Sequence, residues 1–136
     1  MEKLERKTKQ IVVALKSLQT VIHKFSERPR DDEDFAEIRD SVIKRFEYSI
    51  DTFWKFLKEY IEVKHGILPP ASPKGVFKSA AEIKVISKAE EIELQILIED
   101  RNRTSHAYHV EVAESIVEVV NEHHQVVQKI VDRLII

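Results

Sequence analysis

The sequence predicts an all-α protein, an up-and-down bundle of four long helices with one additional short helix. Apolar residues recur at three- and four-residue steps along most of the 136 residues, and this is the period of an amphipathic helix. The chain has two glycines and four prolines, so few positions interrupt that pattern. A chain of this length buries one core, and we expect a single domain over residues 1–136.

The first two predicted helices are long and are separated by a short polar segment. Residues 4–25 place their apolar side chains on one face, and residues 33–64 do the same. The intervening segment 28–32 contains a proline and supplies an aspartate that could cap the second helix. Gly66 and the prolines after it predict the end of the second helix.

Start signals define the remaining helices. Ser72 followed by Pro73 is typical of a helix start and predicts a short third helix. Ser87 and Glu90 have the spacing of a capping box, which predicts the start of the fourth helix. Apolar residues in near-heptad steps predict a last helix over about 111–134, with its stripe in the core.

Composition excludes several classes of protein. A net charge of −2 provides no global basic field for coating nucleic acid. The absence of cysteine excludes disulfides, thiol catalysis and thiolate zinc sites. No apolar run approaches the roughly 18 residues that span a bilayer, and the start of the chain lacks a signal-peptide core. We expect a cytoplasmic protein without a membrane partner.

Neither a metal site nor a bound cofactor is predicted. His123 and His124 are adjacent on the last helix and point about 100° apart, so they are expected to be structural and not zinc ligands. With two glycines in all, the chain has no loop to cradle nucleotide phosphates. Trp54 is assigned to the core.

The most informative feature is the polar string Arg101-Asn102-Arg103-Thr104-Ser105-His106-Ala107-Tyr108 in the predicted fourth helix. At 100° per residue, the apolar stripe through Leu94 and Leu97 continues into Arg101, Ser105 and Tyr108. Burying such groups is unfavourable unless they are paired or have a function. The string is therefore the predicted functional site.

The chemistry of the string suits phosphodiester cleavage in RNA without a metal. Arg101 offers a permanent cation to a phosphate, and His106 gains and loses a proton near neutral pH. One histidine does not easily serve both sides of an in-line displacement, so a symmetric dimer with two copies of His106 is one hypothesis. Asn102 lies four residues before His106 and could fix the imidazole tautomer or touch the substrate.

A simpler interpretation is open at this point. Arg101 and His106 lie about 140° apart on a regular helix, so they share a face only if the helix ends near Thr104. Arg101 could instead pair with Glu99 or Asp100 at the surface, with His106 capping or packing in the bundle.

The string resembles the R-x4-H-x-Y signature of HEPN-domain proteins. More narrowly, the chain resembles the nucleotidyltransferase substrate-binding proteins, the HEPN toxins paired with minimal nucleotidyltransferase antitoxins. The second helix supports this resemblance, since Arg39-Asp40-Ser41-Val42-Ile43-Lys44-Arg45-Phe46-Glu47-Tyr48 and Phe53-Trp54-Lys55 are similar to two further segments of that group. The resemblance covers nearly the whole chain.

The resemblance implies a homodimer with the signature at its interface and metal-independent RNA cleavage by Arg101 and His106, supported by Asn102. It also implies an antitoxin partner that transfers AMP to Tyr108, where the added charge and bulk would block RNA. His109 stands where the group has a capping aspartate or asparagine, and it is expected to cap weakly or to titrate.

Three residues of the second helix are supporting candidates. Glu47 could orient Arg101 or His106, Arg45 could hold an RNA phosphate, and Arg39 prolongs an apolar stripe as Arg101 does. An exposed lattice of ion pairs is the alternative for all three. For the whole chain, the alternatives are a non-catalytic subunit that presents substrate or nucleotide to a nucleotidyltransferase, and a purely structural dimerising bundle.

Overall fold

The computed structural model describes residues 2–135, and five α-helices account for most of them. They are α1 (Glu2–Ser26), α2 (Phe35–His65), α3 (Pro73–Glu82), α4 (Lys88–Arg103) and α5 (Val110–Leu134). A 3-10 turn (Thr104–His106) lies between α4 and α5, and no strand occurs within residues 2–135. The predicted all-α bundle of four long helices and one short helix is confirmed.

Most of the predicted end signals form the expected bonds. Gly66 follows α2 in the left-handed conformation, with φ of 66°. The Ser72 hydroxyl accepts a hydrogen bond from the backbone N–H of Gly75 at 3.2 Å. Ser87 and Glu90 form the predicted capping box, with reciprocal bonds of 3.0 and 2.9 Å. These signals fix the start of α4, the helix that carries the polar string.

The predicted aspartate cap of α2 is not formed. The helix begins at Phe35, two residues later than expected, and the side chain of the preceding Asp34 makes no capping hydrogen bond. The Asp32 carboxylate instead accepts a bond from the backbone N–H of Asp34 at 2.8 Å, which stabilises the turn before the helix.

Helix α2 is the centre of the bundle, because it packs against each of the other four helices. Its aromatic side chains Phe46, Phe53 and Phe56 are fully buried. Helix α5 contributes the apolar stripe that the sequence assigned to the core, and all four of its residues are buried: Ile116, Val120, Val127 and Val131. Helix α2 thus packs against α4, which carries the start of the polar string, and against α5, which follows the string.

The adjacent histidines of α5 are buried and hydrogen-bonded within the bundle. His123 Nε2 lies 2.7 Å from a carboxylate oxygen of Asp100, and its ring stacks on Phe46. His124 Nε2 lies 3.1 Å from the carbonyl oxygen of Leu15. The predicted structural role of both residues is confirmed, and the Asp100 contact fixes α4 against α5 one residue before Arg101.

The surface carries separate apolar side chains on several helices. Val13 on α1, Ile92 and Ile96 on α4, and Tyr108 and Val110 before and at the start of α5 are all exposed. None of the helices in the described part of the chain has the length and apolar character to cross a membrane.

Candidate functional site

Helix α4 ends in the middle of the polar string. It stops at Arg103, and the chain continues through the 3-10 turn into a short bend before α5. The Thr104 hydroxyl donates to the carbonyl of Arg101 at 2.6 Å, and the Ser105 hydroxyl donates to that of Asn102 at 3.1 Å. These bonds give the carbonyl groups of the last turn additional hydrogen-bond partners.

This end corrects the predicted stripe. Arg101 is half-buried as expected, but Thr104 is the next buried residue of the string, whereas Ser105 and His106 are exposed. The Tyr108 side chain is 76% exposed. The helical period therefore predicted burial correctly as far as Arg101. Its prediction for Ser105 and Tyr108 was wrong, because the α-helix does not continue past Arg103.

Arg101 is held by carboxylates of α2. Its Nε and Nη2 donate to the two carboxylate oxygens of Asp51 at 3.0 and 2.9 Å. Its Nη1 donates to the Thr104 hydroxyl at 3.0 Å and lies 3.5 Å from Glu47 Oε2. The hydrogen bonds that Arg101 donates to Asp51 raise the pKa of Arg101 above its ordinary value, burial opposes this rise, and the charges of Asp51 and Glu47 add to it.

The local pairing of Arg101 that the simpler interpretation supposed is wrong. The Glu99 carboxylate lies 3.7 Å from the Lys74 ammonium. Asp100 contacts His123, and its other carboxylate oxygen accepts a bond from Arg103 at 3.2 Å. Both neighbouring acids therefore face other partners, and the guanidinium is directed towards α2.

The guanidinium retains capacity for a ligand. An arginine has five N–H donors, and Asp51 and Thr104 accept from three of those on Arg101. Of the two remaining N–H donors, one is on Nη1 and one is on Nη2. Two carboxylates thus fix the guanidinium without occupying all of its donors, which is suitable for binding a phosphate oxygen in a defined orientation.

His106 and Tyr108 of the string form an exposed aromatic group with His109, which follows the string. The His106 and Tyr108 ring centres are 6.3 Å apart, and those of Tyr108 and His109 are 4.3 Å apart. Within residues 2–135, no side chain hydrogen-bonds to His106 or Tyr108. His109 precedes α5 without a side-chain capping bond, so the predicted weak cap is wrong.

A cleft lies between α2 and the bend that carries Tyr108. Its volume is about 400 Å³. Its polar lining consists of hydroxyl-bearing side chains (Thr104, Ser105 and Tyr108) and charged side chains (Asp40, Lys44 and Glu47). The cleft is mixed in charge and open at the surface, so it suits a polar group and not an apolar ligand.

The other predicted residues lie apart from this group. Arg39 pairs with Asp40 at 3.2 Å, and Arg45 donates to Ser17 of α1 at 2.9 Å. In the described part of the chain, neither arginine bonds to the polar string. Asn102 is exposed beside Arg101 and makes no side-chain hydrogen bond to His106, because the helix that would align them has ended.

Asp51 is the residue that sequence analysis missed. It follows Glu47 by four residues on α2, so both carboxylates lie on one face of that helix. Since Arg101 interrupts an apolar stripe, such a pair of acids on a packed helix was an available signal. The described residues include no cluster of three acidic, histidine or cysteine side chains that could hold a metal ion.

A comparison with protein families decides the classification. The model of the family described as nucleotidyltransferase substrate binding protein like matches residues 6–135. The chain belongs to this family. The match includes α2 and the whole polar string, so the proposed resemblance to this group is confirmed. Among curated proteins, no relative matches the chain.

Solved structures agree with this family and establish the fold. A protein of Thermus thermophilus is 31% identical, with a TM-score of 0.79 over 91% of this chain and 98% of that one. A toxin–antitoxin structure with AMP-PNP has 20% identity and a TM-score of 0.71, covering 96% of each chain. A tri-AMPylated Shewanella oneidensis HEPN toxin in complex with an MNT antitoxin has 20% identity and a TM-score of 0.74, covering 97% and 95%. The bundle is thus HEPN-like.

Proposed function

We propose that this chain is a metal-independent endoribonuclease, the toxin of a two-gene pair whose antitoxin is a minimal nucleotidyltransferase. The observation that carries the proposal is the half-buried Arg101, which Asp51 and Glu47 hold just before the turn that presents the exposed His106. The fold that the chain shares with a HEPN toxin bound to an MNT antitoxin supports the same assignment.

In the proposed reaction, His106 removes the proton of a ribose 2′-hydroxyl, and that oxygen attacks the adjacent phosphorus. The remaining N–H donors of Arg101 stabilise the charge that accumulates on the phosphoryl oxygens. The second copy of His106 in a homodimer protonates the leaving 5′-oxygen, so the products carry a 2′,3′-cyclic phosphate and a 5′-hydroxyl. Asn102, exposed beside Arg101, contacts the RNA in this scheme.

The direct test is cleavage of a single-stranded RNA by the purified, unmodified chain in the presence of EDTA. Because every group in the scheme is a side chain, we expect cleavage to persist with the chelator and to leave cyclic phosphate ends, identified by mass spectrometry of the fragments. Loss of cleavage in EDTA, or fragments with 3′-hydroxyl ends, would contradict the mechanism.

Tyr108 is the proposed site of control by the partner. Its phenol is exposed at the cleft, within reach of a second protein, and an attached AMP would place negative charge and bulk beside the RNA-binding groups. Such a modification would oppose binding of the RNA phosphate by repulsion and by occlusion.

Replacing Tyr108 with phenylalanine should prevent this modification, because the oxygen that accepts AMP is removed. We expect the intact mass of the parent chain to increase by whole AMP groups when the partner nucleotidyltransferase is co-expressed, and the mass of Tyr108→Phe to stay unchanged. Tyr48→Phe is the matched control, since Tyr48 is also an exposed tyrosine on the protein. An AMP adduct that persists in Tyr108→Phe would exclude Tyr108 as the acceptor.

A second candidate function is presentation of a nucleotide or another substrate to a nucleotidyltransferase. The description of the family favours it, and the polar cleft at Tyr108 provides a place for such a ligand. This function predicts a stable complex with the partner and no RNA cleavage by the unmodified chain. The EDTA experiment therefore distinguishes the two functions.

A further inference from the structure

A second charged feature lies on α1 and α2, outside the polar string. It is a groove between the start of α1 and the last turns of α2. Glu59, Glu62 and Ala71 form part of its lining, and the rest consists of four lysines and a tryptophan. We call it the lysine groove, and these residues are Lys3, Lys7, Trp54, Lys55 and Lys58. In a chain with a net charge of −2, this concentration of positive charge requires an explanation.

Carboxylates balance two of the four lysines. Lys3 lies 3.5 Å from Glu59, and Lys58 donates to Glu62 at 2.9 Å. Within residues 2–135, Lys7 and Lys55 form no salt bridge. Burial lowers the pKa of Lys7, the charges of Lys3 and Lys55 lower it further, and the charge of Glu59 opposes this change. The free protein thus holds cations together at a cost, which a bound anion would relieve.

Trp54 gives the groove an aromatic wall. The sequence assigned it to the core, and it does pack against core residues, but it is partly exposed in the groove. The Lys55 ammonium lies 5.8 Å from the centre of the indole ring. A cation–π contact on an exposed ring is weaker than the stacking of a nucleic-acid base on that ring. A base could therefore displace Lys55 from the indole, and the Lys55 ammonium could then contact a phosphate.

The groove continues the face of α2 that carries the Arg101 contact. Trp54 and Lys55 follow Asp51 by three and four residues, and Lys58 follows it by seven. Seven residues correspond to nearly two full turns and about 10 Å along a helix, so Asp51 and Lys58 lie on the same side of α2. A short single strand passing Arg101 could therefore follow this face into the groove.

We propose that the lysine groove is a binding subsite for single-stranded RNA, in which a base stacks on Trp54 and the phosphates contact Lys7, Lys55 and Lys58. An acidic protein surface would use the lysines but would leave the indole without a role. The inference rests on the proposed ribonuclease function for its substrate, while binding in the groove is measurable without any cleavage.

The test is titration of the His106→Ala chain with an oligoadenylate of roughly ten nucleotides, within the length that single-strand-binding domains occupy. Trp54 is the one tryptophan of the chain, so its fluorescence reports stacking directly. We expect quenching on binding. Lys55→Gln should weaken binding severalfold and reduce the slope of log K against log salt by about 0.7, the value for one lost phosphate contact.

Lys16→Gln is the matched control, because Lys16 is an exposed lysine of α1 outside the groove. Absence of quenching, or equal weakening by Lys16→Gln and Lys55→Gln, would overturn the subsite. The subsite would also be overturned if the chain bound no oligonucleotide but formed a complex with the partner protein that depends on Lys55. If the parent chain cleaves RNA but Trp54 fluorescence is not quenched, the proposed subsite is overturned and the ribonuclease function is not. If quenching depends on Lys55 but the parent chain does not cleave RNA, the ribonuclease function is overturned and the subsite is not.

Discussion

Replacing His106 with alanine should lower the rate of RNA cleavage by about 10²–10⁴-fold, the range that general acid–base groups contribute. In the proposed reaction both proton transfers use this imidazole, one from each protomer, so the substitution removes the base and the acid together. The rate is measured in single-turnover cleavage of a labelled RNA, with the protein in excess.

The fold should be unaffected, because the His106 side chain is exposed and makes no hydrogen bond within the described residues. An exposed substitution of this kind changes the free energy of unfolding by about 0.5 kcal/mol or less. Thermal unfolding of the parent and variant chains checks the free energy, and their masses in solution check that the substitution leaves the assembly unchanged. His23→Ala on α1, also exposed, is the matched control, and cleavage by His106→Ala at the parent rate would contradict the mechanism.

Local sequence signals predicted most of the fold. Local signals determine where four of the five helices begin or end: glycine and proline positions, the Ser72 and Ser87 caps, and the apolar period. They could be read from the sequence because each of them acts within a few residues. The buried stripe of α5 follows from the same period. The late start of α2 shows the limit, since Asp32 stabilises a turn with its backbone neighbours in place of a helix cap.

The candidate site was predictable in its residues but not in its contacts. The helical period showed that Arg101 continues an apolar stripe, and the resemblance identified the string. Neither specified which helix packs against Arg101. The Asp51 contact joins residues 50 positions apart, so it depends on how α2 and α4 pack. Thr104 and Ser105 bond to carbonyls at the end of α4, but Ser115 makes the same kind of bond inside α5, so such residues do not mark a helix end in the sequence.

Replacing Arg101 with alanine should lower the cleavage rate by about 10²–10³-fold, the cost of removing one donor that stabilises a charged transition state. Asp51→Asn should lower it less, by up to about 100-fold, because the amide keeps the shape but loses one acceptor and the charge that orient the guanidinium. In the proposed reaction Asp51 positions Arg101 and does not itself contact RNA. Both rates are measured in the single-turnover assay.

The double variant separates positioning from a structural role. If Asp51 acts through Arg101, then Asp51→Asn should have little further effect on the rate in the Arg101→Ala background, so the two effects are not additive. The Asp51 side chain is 42% exposed, and such pairs contribute about 0–1 kcal/mol to stability, so unfolding cannot account for a large loss of rate. Asp51→Glu, which restores the charge, should recover part of the activity. Additive losses in the double variant would instead mean that Asp51 acts on the RNA or the fold independently of Arg101.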